Sequence, residues 1–269
     1  MVRNAGQSAA MSTPESHPLG PLPLPPSPRP PQVWKFIGTS LWGIAVFAAM
    51  FAGQLSVLVY LLITDRAPFS FDSVRELAGG GLTISLSVVM GLPAALLALW
   101  IAIWLSRVPF ADYLALRRTS WRHLLLGIVA LVVLVMGWEG VSFTLGHESS
   151  AGFMVDVLKS ARAEGALWLL VISFCVVAPI TEEFLTRGFL YRGWSESFLR
   201  PAGAIVLSSL VWTAMHLQYD WFFFGEIFSI GLLFGYLRYR SGSIWLTVIL
   251  HGLNNLAATL QTLWLAGQS

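Results

Sequence analysis

Charge is the first thing this sequence has little of. Asp, Glu, Lys and Arg make up 11% of its 269 residues and hydrophobic side chains 56%. A soluble domain carries roughly 25% charged residues, so an ordinary cytosolic globule is excluded. The two signs nearly cancel, with 16 Lys and Arg against 14 Asp and Glu, so no basic surface marks a nucleic-acid partner. Cysteine is almost absent: Cys175 stands alone inside an apolar run, which excludes a disulfide framework.

Long apolar runs fill the remainder. They cover Phe36–Thr64, Gly81–Ser106, His123–Gly146, Ala166–Leu190, Gly203–Leu217, Trp221–Leu237 and Ile244–Ala266. A membrane-crossing helix needs about 20 mainly apolar residues, and continuous runs of this kind do not fit the alternating strands of a membrane barrel. The expected fold is an all-α polytopic transmembrane bundle of about seven spanning helices. The fifth and sixth runs are short and separated only by Gln218, Tyr219 and Asp220, so a tight hairpin is expected there. Ahead of the first run, nine of the fourteen prolines fall between Pro14 and Pro31. Residues 1–35 therefore read as a disordered, retained tail, since prolines stand where a secretory signal would place its apolar core.

Lys and Arg are distributed unevenly among the connections. The tail and the second, fourth and sixth loops hold eleven, among them Arg107, Arg117, Arg118, Arg122, Arg192, Arg200, Arg238 and Arg240; the alternate loops hold four, Arg66, Arg75, Lys159 and Arg162. The positive-inside rule then puts the N-terminus in the cytoplasm of a cell whose plasma (inner) membrane holds the protein. No internal repeat of the kind found in many transporters is visible. Gly231 and Gly235 form a small-xxx-small pair that predicts close helix packing.

Ionisable groups at membrane depth carry an insertion penalty of roughly 2.5 to 3.5 kcal/mol each, so each calls for a reason. Here they gather in the last third: Glu182, Glu183 and Arg187 after Pro179, His216 four residues beyond Trp212, and His251 with Asn254 and Asn255. On a helix Glu183 and Arg187 share a face and predict an ion pair. Glu182 points about 100° away, which leaves it the unpaired carboxylate. His251 and Asn255 also share a face, with Asn254 at its edge. A lone buried His is more often a packing residue, and an isolated Glu–Arg pair is as often structural. Three runs each contributing an uncompensated polar group make one shared polar site the economical account.

A carboxylate, two imidazoles and an amide are equipment for activating water and holding an oxyanion, as in peptide hydrolysis. Other intramembrane protease chemistries lack support. His147-Glu148 is followed by two Ser and an Ala rather than by the end of a His-Glu-x-x-His zinc helix, no Gly-x-Ser-x-Gly elbow lies within a run, and Asp220 stands in a loop, leaving no Asp pair at depth.

These motifs resemble the CAAX-processing endopeptidases and the bacteriocin-processing, lysostaphin-resistance-protein-A-like (Abi) membrane proteases. The matching elements are Glu182-Glu183 with Arg187, Trp212 to His216, and His251 to Asn255, in order on successive helices; Trp212 departs from the usual Phe and is expected to matter little. The resemblance covers about 166–266 and implies a catalytic core of the last four helices, preceded by N-terminal transmembrane helices over 36–165. It implies Glu182 as the base that deprotonates water, His216 holding that water, His251 and Asn255 polarising the scissile carbonyl, and Glu183 with Arg187 keeping the fourth helix in register. The substrate would be a lipidated or membrane-anchored protein or peptide. Glu182, His216 and His251 also make a His₂Glu set of the type used by catalytic zinc; the resemblance favours catalysis without a metal. The competing readings are a proton-coupled transporter and a non-catalytic immunity or scaffold protein.

Overall fold

The computed structural model describes residues 30–64, 70–147, 151–219 and 221–266; the Pro-rich stretch 1–29 and Asp220 lie outside them. Among these residues the chain is all-α, with ten helices in order: α1 Phe36–Thr64, α2 Phe71–Gly79, α3 Gly81–Ser106, α4 Phe110–Tyr113, α5 Trp121–Leu145, α6 Ala151–Ala163, α7 Leu167–Ser195, α8 Arg200–Ala214, α9 Trp221–Ser241 and α10 Ile244–Ala266.

Five of them, α1, α3, α5, α7 and α9, are long and apolar enough to cross a membrane, where about seven were expected. The two shortfalls have different causes. The fifth run yields α8, whose 15 residues span roughly 22 Å at 1.5 Å per residue, short of the ~30 Å hydrocarbon core. The seventh yields α10, 23 residues long, whose apolar character is diluted by His251, Asn254 and Asn255. Large apolar side chains such as Leu126, Val133 and Phe143 on α5 and Ile44 and Ile63 on α1 point outward, as lipid-facing side chains do. The protein is an integral membrane protein.

Small residues set the closest contacts. A side chain at Gly53 on α1 would meet the Met90 carbonyl of α3. Gly231 and Gly235 of α9 lie against Ser209 and Ile205 of α8, the close packing their spacing predicts. Residues 31–35, read with the tail from sequence, lie along α3: the Gln32 amide donates to the Ser106 carbonyl at 3.1 Å and the Trp34 indole to Ala102 at 2.8 Å. Two helices occupy segments read from sequence as loops. α2 begins with a capping box between Ser70 and Ser73. α6 caps the start of α3, Ser160 Oγ accepting from the Gly81 amide at 2.9 Å and Glu164 Oε2 from Leu82 at 2.7 Å, which satisfies donors that a helix start leaves bare.

The main core fills one half of the bundle, where Tyr113, Leu99, Ile103, Phe189 and Leu114 are buried together and the Tyr113 and Phe189 rings stack at 5.3 Å.

Candidate active site

The site is organised by a helix that is not a regular α-helix. Within α7 two stretches, Ser173–Val177 and Phe184–Leu190, wind as π-helix, and they bracket the α-helical turns Ala178–Glu183. Such turns recur at functional sites because each alters which face a side chain presents. Pro179 explains the first. The Ala178 amide donates five residues back to Ser173, so it does not serve Phe174. In the same π pattern the partner of Phe174 would be residue 179, a proline with no N–H. The Phe174 carbonyl is therefore orphaned by the backbone. Asn255 on α10 serves it instead, its Nδ2 donating at 2.8 Å. One turn earlier on α10, Gly252 lies so close to the Cys175 carbonyl that an added Cβ would stand 2.6 Å from that oxygen. Helix α10 is thus clamped onto the irregular stretch of α7, which fixes His251 relative to Glu182.

Glu182, His216 and His251 come together at one carboxylate oxygen. Glu182 Oε2 lies 4.0 Å from His216 Nε2 and 3.9 Å from His251 Nε2, and it accepts the Trp212 indole N–H at 2.7 Å. Each ring is oriented through its other nitrogen. His216 Nδ1 meets the Trp212 carbonyl at 2.8 Å, and His251 Nδ1 meets Glu183 Oε1 at 3.1 Å. Both partners are acceptors, so in the neutral rings Nδ1 carries the proton and the bare Nε2 faces Glu182. The Glu182 side chain is 18% exposed, enough to meet a reactant.

The neighbouring carboxylate does a different job. Glu183 and Arg187 are fully buried and paired at 2.8 Å. Arg187 also bonds Thr186 Oγ1 and the Gly231 carbonyl, and its guanidinium lies 4.4 Å from the centre of the Trp212 ring. Glu182 and Glu183 therefore flank opposite nitrogens of one imidazole, and only Glu182 lines a cavity.

Two cavities reach the site. One is lined by Trp212, His216, His251, Asn254, Asn255 and Glu226, and the other by Glu182, His216, Asn255, Val88 and Met154; Tyr219 borders both. Burial and the nearby carboxylates of Glu182 and Glu226 push the Tyr219 phenol above its ordinary pKa. Sequence reading missed Tyr219, which stacks on His216 at 6.1 Å, because a loop tyrosine carries no motif. His216 itself was expected inside the fifth span; α8 ends at Ala214, and the ring sits in the turn beyond.

Trp212 corrects the expectation that an aromatic ring of any kind suffices there, since Phe has no N–H for Glu182. A hydrogen bond to a charged group contributes about 1.5–3 kcal/mol, so if Glu182 acts as a base, Trp212→Phe should slow the reaction by roughly tenfold or more when compared at matched abundance. Initial cleavage rates at matched protein levels test this; an unchanged rate would show that the indole does not hold the carboxylate.

The same residues fit zinc poorly. Ligands around a tetrahedral zinc at about 2.0 Å stand about 3.3 Å apart, closer than the 3.9 and 4.0 Å found here. Among the described residues no group of three His, Cys, Asp or Glu is placed to hold a metal.

An Escherichia coli protein described as an uncharacterized 24.3 kDa protein is 28% identical over 151 residues, 55% of this chain and 66% of that protein. UPF0177 protein YbdI of Lactococcus lactis subsp. lactis (strain IL1403) is 34% identical over 90 residues, 33% of this chain and 46% of the relative. The chain thus spans just under two thirds of the first relative's length and less than half of the second's. No solved structure matches. Residues 164–257, about a third of the chain and the part that holds Glu182, His216, His251 and Asn255, match the family described as type II CAAX prenyl endopeptidase Rce1-like, so it is to this protease family that the clamped α7–α10 site is similar.

Proposed function

We propose that the protein is an intramembrane endopeptidase that hydrolyses a peptide bond near the membrane surface with water activated by Glu182. The observation that carries this reading is the convergence of two oriented imidazoles on Glu182, the partly exposed member of the acidic pair. A water between Glu182 and His216 gives its proton to Glu182 as its oxygen attacks the scissile carbonyl carbon. The second amide hydrogen of Asn255, the first being engaged with Phe174, stabilises the oxyanion, joined by His251 when its Nε2 also carries a proton and Glu183 offsets the charge of the ring. As the C–N bond breaks, Glu182 returns the proton to the leaving amine. The substrate is a lipidated or membrane-anchored protein or peptide.

The wide spacing supports catalysis without a metal. A transporter would need polar groups lining a path through both halves of the bundle, and the cavities keep to one half. Co-expression with candidate membrane or lipidated substrates tests the proposal: wild type should yield a cleavage product and Glu182→Ala none. A membrane-permeant chelator should leave the wild-type product unchanged. Purified protein inactive without stoichiometric zinc would reassign Glu182, His216 and His251 as ligands.

A further inference from the structure

The two cavities open toward the same end of the bundle. From the site their walls extend to the first turns of α3 (Ile84) and α9 (Phe223), the C-terminal halves of α5 (Glu139) and α10 (Thr262), and α6 (Met154). Because successive long helices run antiparallel, these segments all lie toward the end where α2, α6 and the turn 215–219 sit. The other half is closed off from the site by the core around Tyr113, Leu99 and Phe189; the cavity at that end, beside Lys35 and Glu196, shares no lining residue with the two at the site.

The charge on the two ends differs sharply. Among the described residues the connections at the closed end hold nine Lys and Arg, Lys35 included, and those at the open end three, Arg75, Lys159 and Arg162. At that closed end the structure ties separate loops together: the Ile244 amide donates to the Ala115 carbonyl at 3.1 Å, and Ser243 Oγ donates to that of Arg117. Membrane insertion retains the Arg-rich connections in the cytoplasm.

Taken with the peptidase reading, on which it rests, we infer that the site opens to the non-cytoplasmic side. Its substrate is a segment presented from the outer leaflet, in an exported or surface-anchored protein or peptide, and not a lipidated tail in the cytoplasm. The buried core bars access from the cytoplasmic end, so a cytoplasmic substrate would have to cross the bundle to meet Glu182.

Cysteine labelling in cells expressing the full chain tests this, because Cys175 is the only native cysteine. In a Cys175→Ala background, Gln218→Cys marks the cavity mouth and Ala111→Cys the closed end; both positions are exposed. A membrane-impermeant maleimide should label Gln218→Cys in intact cells and Ala111→Cys only after permeabilisation. The reverse pattern, or labelling of both in intact cells, overturns the inference. Labelling reads topology without turnover, so a wrong orientation and an absent peptidase activity are separately visible.

Discussion

Glu182→Gln is expected to leave an inserted, folded protein that has lost cleavage by about 10²–10⁴-fold, the contribution of a positioned general base. The substitution keeps the shape of the side chain. Its amide oxygen can still accept the Trp212 indole, as Oε2 does at 2.7 Å. Only proton acceptance is removed. Product formation measured at matched protein abundance checks this, and a variant that cleaves at the wild-type rate would sink the assignment of Glu182 as base.

Glu183→Ala should fail for another reason, with less protein in the membrane and a lower unfolding temperature as well as lower activity. It strands a fully buried Arg187 without the partner at 2.8 Å and removes the acceptor at 3.1 Å from His251 Nδ1. Breaking a buried ion pair from one side is destabilising by about 3–5 kcal/mol, a large part of the 5–15 kcal/mol typical of a folded domain. Glu183→Gln, which retains an acceptor for both neighbours, should recover part of the abundance. Equal abundance and melting behaviour for Glu183→Ala would remove its structural role.

The contrast between these adjacent glutamates was partly legible in the sequence. A four-residue spacing pairs Glu183 with Arg187 on any helix, and the pair is there. The long apolar runs marked α1, α3, α5, α7 and α9 because lipid-facing helices need no periodicity. What failed to show was whatever depends on a single backbone hydrogen bond. The π turns of α7 leave the apolar run unbroken, so Pro179 read only as a neighbour of the acidic pair. Asn255 was assigned from the resemblance to the scissile carbonyl, and nothing in its spacing pointed to the Phe174 carbonyl. Trp212 counted as a ring, since its N–H gains meaning only once Glu182 is seen beside it. The helices α2 and α6 were read as loops because each is short and mixed in polarity, though both help wall the cavities.

The clamp between α7 and α10 constrains the order in which such a site can arise. Eighty-one positions separate Phe174 from Asn255, so the break and its repair are encoded far apart and change independently. An ancestor with an ordinary residue at 179 would have supplied a backbone N–H to the stretch that now lacks one. Gaining the amide of Asn255 first would have added a surplus donor at little penalty. Gaining Pro179 first would have left a bare carbonyl in apolar surroundings, destabilising by about 1–3 kcal/mol. The permissive route therefore runs through position 255 before position 179, and losing the site without loss of stability runs in reverse, proline first.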